Sequence, residues 1–350
     1  MTDNSVATIT MPNGAALLSN YTAVTAHPPL SLRLAVSTTC VLSMLGAALI
    51  VLAYVLLPRV RTKPALILVH ISLMDFLTAA ANLAGVALVS TGHNRGAGCI
   101  AQASLAMYGT LSSVLWTSGL AVYVFSAVLS SEQKASRNVL HCLCLLCYGL
   151  PLMMTLWFSL TDKLGPDPIG GPSWCSLVLH DDAGRRLPFN TLFGNDIWIY
   201  ISFVMVMVLF VPMHCYLKYL RYDDSGLEPL PLLSAELKLI GVPVVFLVLR
   251  VWSLVLAVVE VEIGYDFDNV VTTVLLYMSG IGDSAQGFAN SLIFLLFTPD
   301  VRVIALKWGR HVCCPERVIR LPRDRIAWES TSLTYEESHS VNYKSILVKN

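Results

Sequence analysis

Gly280-Ile-Gly-Asp-Ser-Ala-Gln-Gly-Phe-Ala-Asn-Ser-Leu-Ile-Phe-Leu-Leu-Phe297 is the stretch whose reading decides how this chain folds. It is apolar enough to lie in a membrane, yet Ser279, Asp283, Gln286 and Asn290 recur at spacings of three and four. On a helix these four form one polar stripe along an otherwise apolar rod. A carboxylate and two amides turned toward lipid would each cost several kcal/mol or so, so the stripe must face other helices that supply hydrogen bonds.

The rest of the chain supplies them. The 350 residues are 55% hydrophobic and 13% charged, with mean hydropathy +0.65, too few charges to solvate a globular surface. Apolar segments cover 32–57, 65–90, 99–129, 139–161, 195–220, 238–262 and 269–297. Each exceeds the roughly 20 residues that cross hydrocarbon. The expected fold is therefore an all-α membrane protein, a seven-transmembrane helix bundle over 32–297. It is preceded by an extracellular N-terminus, 1–31, and followed by an amphipathic inner surface helix, 298–314, and a disordered cytoplasmic tail, 315–350. No folded catalytic domain fits in the short connections, and no zinc-type spacing is present, so neither an enzyme nor a cofactor or metal site is expected.

Basic residues resist translocation and set orientation. With the N-terminus outside, 17 of the 23 Lys and Arg lie inside and five outside, and Arg250 alone falls within a span. Residues 1–31 carry no Lys or Arg and no apolar core of a leader, so the first span is expected to act as its own insertion signal. Asn20-Tyr-Thr22 is then an outward-facing glycosylation sequon. Cys99 and Cys175 are the two cysteines placed on the oxidising side, and are expected to bridge. Cys40, Cys142, Cys144, Cys147 and Cys215 fall in spans and read as small packing residues.

Several spans carry polar faces. Asp75, Thr78 and Asn82 fall at i, i+3 and i+7, a pattern that serves interhelical hydrogen bonding or an ion site or switch. Gly109, Ser112, Ser113, Trp116 and Thr117 give the third span a small and polar face suited to the bundle core. Gly149-Leu-Pro151 marks a kink in the fourth span. The run 180–186 reads as a short hairpin over the outer mouth. Arg250, two residues before Trp252, interrupts the sixth span and is either a structural ion pair or a functional charge. Counting from the inner ends of their spans, Asp75, Arg250 and Asp283 lie about 15, 18 and 21 Å deep at 1.5 Å per residue. They share one mid-membrane layer. The sixth and seventh spans are consecutive and antiparallel, so Arg250 is predicted to pair with Asp283, with Gln286 and Asn290 extending the network.

After the seventh span, Thr298-Pro-Asp300 reads as a helix start. Val301, Ile304, Ala305, Trp308 and Val312 then share an apolar face against Arg302, Lys307 and Arg310, the pattern of a helix lying on the bilayer. Cys313 and Cys314 at its end are palmitoylation candidates.

Ser112-Ser-Val-Leu-Trp-Thr117, Gly149-Leu-Pro151, Trp174-Cys175, Leu249-Arg-Val-Trp252 and Gly280-Ile-Gly-Asp with Gln286-Gly-Phe-Ala-Asn-Ser291 together resemble seven-span G-protein-coupled receptors of the slime-mould cyclic-AMP-receptor type. The resemblance covers about residues 35–310. The chain lacks the acid-Arg-Tyr triplet after span three and the Asn-Pro-x-x-Tyr of span seven that rhodopsin-like receptors carry. Gln286-Gly287 is similar to a pair in the seventh span of secretin-type receptors, where the glycine permits a bend. The resemblance implies a plasma-membrane receptor that passes an extracellular signal to a heterotrimeric G protein at its cytoplasmic face, with a lean toward phospholipase-C-linked coupling. Ten acids against five bases on the outer side oppose an anion, so cyclic AMP is not carried over and the extracellular ligand is left unknown. The bilayer is the other expected partner and nucleic acid is not one. A small seven-span transporter or channel is the alternative, but the first three and last three spans show no internal repeat. A retinal pump needs a lysine that residues 269–297 lack.

Overall fold

The computed structural model describes residues 30–91, 96–129, 140–165, 175–178, 190, 194, 197–223, 241–262, 270–298, 301 and 303. Among these residues the chain forms seven long helices: α1 (Leu30–Leu56), α2 (Lys63–Ser90), α3 (Ala97–Leu129), α4 (Leu140–Leu160), α5 (Ile197–Asp223), α6 (Gly241–Glu262) and α7 (Val270–Phe297). Five of them, α1, α2, α3, α4 and α6, are long and apolar enough to cross a membrane, which makes this a multi-pass membrane protein. The sequence led us to expect seven such segments. In α5 the described apolar run is the shorter Ile197–Leu209. In α7 the polar stripe lowers the hydropathy of a helix whose ends remain apolar.

Local signals account for several helix ends and bends. Thr62 caps α2, its hydroxyl accepting from the Ala65 N–H at 3.3 Å, and Pro64 occupies the first turn, where a missing N–H does no harm. The kink expected at Gly149-Leu-Pro151 takes the form of a π-helical turn over Leu145–Gly149, just before Pro151. Pro151 cannot donate to the ladder and crowds the preceding turn, and one widened turn accommodates both defects.

The bundle is built around α3, which packs against α2, α4, α5 and α6, while α1 lies between α2 and α7 and α6 lies on α7. One apolar cluster gathers Ile50, Ile67, Leu68, Trp116, Leu120 and Phe294 from α1, α2, α3 and α7. A second, at the other end of α3, holds Cys99, Ala103, Phe158 and Cys175. There Cys99 and Cys175 are joined in a disulfide, with their Cα atoms 5.4 Å apart, an ordinary separation for such a bond. Beside it strands β1 (Leu164–Gly165) and β2 (Ser176–Leu177) pair antiparallel, Leu164 opposite Leu177. The chain after the fourth helix thus folds back on itself at the disulfide; the hairpin expected at 180–186 lies outside the described residues. So do Asn20, Cys313, Cys314, the tail from 315 and, apart from Thr298, Val301 and Val303, the expected surface helix.

Packing as small residues holds for Cys40 and Cys147, which are buried, but not for Cys142 and Cys215, which are exposed on their helices.

Candidate functional site

The polar stripe of α7 turns into the bundle and meets polar groups from four other helices. Arg250 of α6 is only 2% exposed. Its Nη1 donates to Asp283 Oδ1 at 2.7 Å and its Nη2 to Gln286 Oε1 at 3.3 Å. Ser253, three residues along α6 and so on the same face, donates to the same Asp283 oxygen at 2.8 Å and lies 3.0 Å from the Ser279 hydroxyl. The Asp283 carboxylate is 34% exposed, so the ion pair joins a sealed guanidinium to a carboxylate with partial access to its surroundings.

Gln286 carries the network across to α3. Its Nε2 donates to Ser113 Oγ at 3.1 Å and to Thr117 Oγ1 at 3.4 Å. Ser113 in turn donates to Asp75 Oδ1 of α2 at 2.5 Å, and Asn290, one turn beyond Gln286 on α7, donates to Asp75 Oδ2 at 3.0 Å. The chain of bonds therefore runs from Arg250 through Asp283 and Gln286 to Ser113, Asp75 and Asn290, coupling α6, α7, α3 and α2. α1 joins through Ser43, whose hydroxyl accepts from the Gly287 N–H at 3.0 Å.

Two glycines bring the backbones close enough for these bonds. A Cβ at Gly282 would run into the Leu249 carbonyl oxygen, the residue before Arg250. A Cβ at Gly287 would lie 2.6 Å from Ser43 Oγ and 3.0 Å from the Ser43 carbonyl. Both helix crossings use the absence of a side chain, as small-residue contacts between membrane helices do.

Of the residues singled out from the sequence, Asp75, Arg250, Asp283, Gln286, Asn290, Ser113, Thr117 and Gly287 meet in this network. Asn82 is buried further along α2 but makes no bond to it. Ser112 is also buried, with its hydroxyl unpartnered, because it points about 100° away from Ser113 around α3. Trp116 is fully buried, but in an aromatic group instead: it stacks on His70 at 4.6 Å and meets Tyr148 edge-on at 5.4 Å. The expected core placement of Trp252 needs correction. It is half-buried, since two residues beyond the inward-facing Arg250 is about 200° round the helix.

Sequence reasoning missed Ser43, Ser253, His70 and Tyr148. Ser253 had a signal in its spacing of three from Arg250. His70 Nδ1 and the Tyr148 hydroxyl lie 2.7 Å apart, and Tyr148 belongs to the π-helical turn, whose changed periodicity no helical wheel anticipates. Among the described residues no group of three or more His, Cys, Asp or Glu could hold a metal ion.

A family model described as slime mold cyclic AMP receptor matches residues 30–313. Among curated proteins, the chain is 28% identical to G-protein coupled receptor 157 of Mus musculus over 302 residues, 83% of this chain and 88% of that protein. The Homo sapiens protein of the same name is 30% identical over 283 residues, 77% of this chain and 82% of its own length. Cyclic AMP receptor 2 of Dictyostelium discoideum is 26% identical over 203 residues, 57% of this chain and 49% of that receptor.

Proposed function

The chain belongs to the slime-mould cyclic AMP receptor family, and on that premise we propose that it is a seven-span G-protein-coupled receptor of the plasma membrane. Its N-terminus is extracellular and glycosylated at Asn20, α5 and α7 cross the bilayer with the other five helices, and the Cys99–Cys175 end faces outward. A heterotrimeric G protein docks at the opposite end among α3, α5, α6 and a surface helix at 298–314, which Cys313 and Cys314 anchor as palmitoylated residues. The coupled class is the phospholipase-C-linked one. The extracellular ligand is not a cyclic nucleotide in this reading, because the acid-rich outer side opposes phosphate.

The observation that carries the reading is the network itself. Receptor activation requires an element with two discrete arrangements whose balance a ligand shifts. α6 is charge-paired to α7 through a buried arginine held by Asp283 and Gln286, with Ser253 on the same carboxylate. Moving α6 away from α7 breaks both bonds together, so the pair acts as a latch holding the resting state. Nucleotide exchange on a panel of alpha subunits, with the receptor in membranes, tests this directly. Exchange above empty membranes on at least one subunit is expected. Absence of exchange on every subunit, together with substrate uptake into vesicles, would replace the receptor reading with the transporter one.

A further inference from the structure

Between α2 and α3, at the disulfide end, a groove of about 540 Å³ opens sideways on the bundle surface. That volume lies within the roughly 300–1,000 Å³ typical of small-molecule sites. Its walls are Leu77, Ala80, Ala84 and Ala87 of α2 and Gln102 and Leu105 of α3. The α2 residues fall at spacings of three and four, so a run of alanines on one helical face leaves the space that larger side chains would fill. Ala84, Ala87 and Leu105 are exposed and Gln102 is not: it is 4% exposed, at the base of the groove.

Gln102 makes no hydrogen bond through either Nε2 or Oε1, although both atoms are buried. An amide in that position within hydrocarbon costs several kcal/mol or so unless something bonds it. A plain acyl chain fills the groove but leaves the amide as it was. A phosphate headgroup is not matched, since no charged residue is among the described residues lining the groove. A hydroxyl is matched, because it donates to Oε1 without bringing a charge, as an ether oxygen does not. Gln102 stands five residues below Ala97, about 7.5 Å inside the helix end, and the α2 wall runs from Thr91 down to Leu77, about 21 Å.

We propose that this groove binds a membrane-dissolved amphiphile with a slender apolar body and one hydroxyl, the hydroxyl bonded to Gln102 and the body lying along Ala84, Ala80 and Leu77. This rests only on α2 and α3 being membrane helices. It does not depend on which G protein is coupled, or whether any is.

The test uses the full-length protein in phosphatidylcholine vesicles containing photoactivatable cholesterol, with unlabelled cholesterol and its methyl ether as competitors. Label is expected on peptides from 77–91 and 98–105, competed by cholesterol and not by the ether. Gln102→Leu is expected to weaken labelling about tenfold, the loss of a hydrogen bond worth about 1.4 kcal/mol. Ala84→Phe, which fills the groove from its exposed wall without entering the bundle interior, is expected to abolish labelling with the thermal midpoint unchanged. Label spread evenly over the surface, labelling unaltered by Ala84→Phe, or equal competition by the ether would each overturn the proposal. None of these readouts involves a G protein.

Discussion

Replacing Asp283 by asparagine removes the one full negative charge bonded to Arg250 among the described residues while keeping the size of the side chain. At an effective dielectric near 20, unit charges at salt-bridge contact attract by about 6 kcal/mol. The net loss is smaller, because Asp283 is 34% exposed and its surroundings screen part of the interaction. It is not negligible, because Arg250 stays 2% exposed with only neutral amide oxygens, that of Gln286 and that of the introduced asparagine, to accept from it. A cost of about 1–3 kcal/mol follows, below the roughly 3–5 kcal/mol of fully sealed pairs. At about 2–4 °C per kcal/mol, the thermal midpoint of the purified protein should fall by roughly 2–12 °C. Basal nucleotide exchange should rise severalfold in the same variant, since the lost bonds hold α6 against α7. Asp283→Glu, which keeps the charge, should move both readouts less. Arg250→Leu with Asp283→Leu should be better tolerated than Asp283→Asn alone, because it leaves no uncompensated charge. If Asp283→Asn matches wild type in midpoint and in basal exchange, the latch is wrong.

Gly282→Ala places a methyl against the Leu249 backbone, which cannot rotate away; surface expression or thermal midpoint should fall by an amount equivalent to about 1–3 kcal/mol of overpacking, and an unchanged protein would mean that α6 and α7 can separate freely. Gln286→Leu removes the link between the Arg250 and Asp75 halves of the network. Asp75→Asn and Asp283→Asn, coupled in the natural background, should then become additive in midpoint in a double-mutant cycle.

How much of this was legible in the sequence depends on the chemical contrast each residue makes with its surroundings. Asp283, Gln286 and Asn290 stand out in an apolar helix because few alternatives exist for a carboxylate or amide in hydrocarbon. Arg250 stands out for the same reason, and helix rise alone put it at the depth of Asp283. Ser113 is different. Hydroxyls are common in membrane helices and satisfy themselves on the preceding turn, as Thr117 does by donating to the Ser113 carbonyl at 2.9 Å. Nothing local tells Ser113, bonded to Asp75 and Gln286, from Ser112, bonded to nothing. The His70, Trp116 and Tyr148 group was hidden by the π-helical turn. The sequence reads α7 as a seventh apolar segment, yet it is not among the five described helices apolar enough to cross a membrane, because the residues that make it the centre of the site also dilute its apolar content.

The two glycines of α7 explain how one helix can hold the whole network in register. At about 100° per residue, taking Gly282 as zero, Gln286 lies near 40°, Asn290 near 80°, Asp283 near 100° and Gly287 near 140°. The polar stripe is thus flanked on both sides by a close backbone contact, Gly282 on Leu249 of α6 and Gly287 on Ser43 of α1. Neither contact tolerates a rotation of α7 about its axis, since turning either glycine away drives a neighbouring side chain into backbone. The stripe is therefore aimed by packing before any hydrogen bond forms, and the bonds to Arg250, Ser113 and Asp75 need little further ordering. The freedom left to the assembly is at α6, which touches the stripe through Arg250 and Ser253 and crosses α7 at Gly282. Lifting α6 off that crossing would open the Arg250 end while leaving Asn290, Asp75 and Ser113 bonded, so in the proposed reading the moving half of the site is on α6 and the fixed half on α2, α3 and α7.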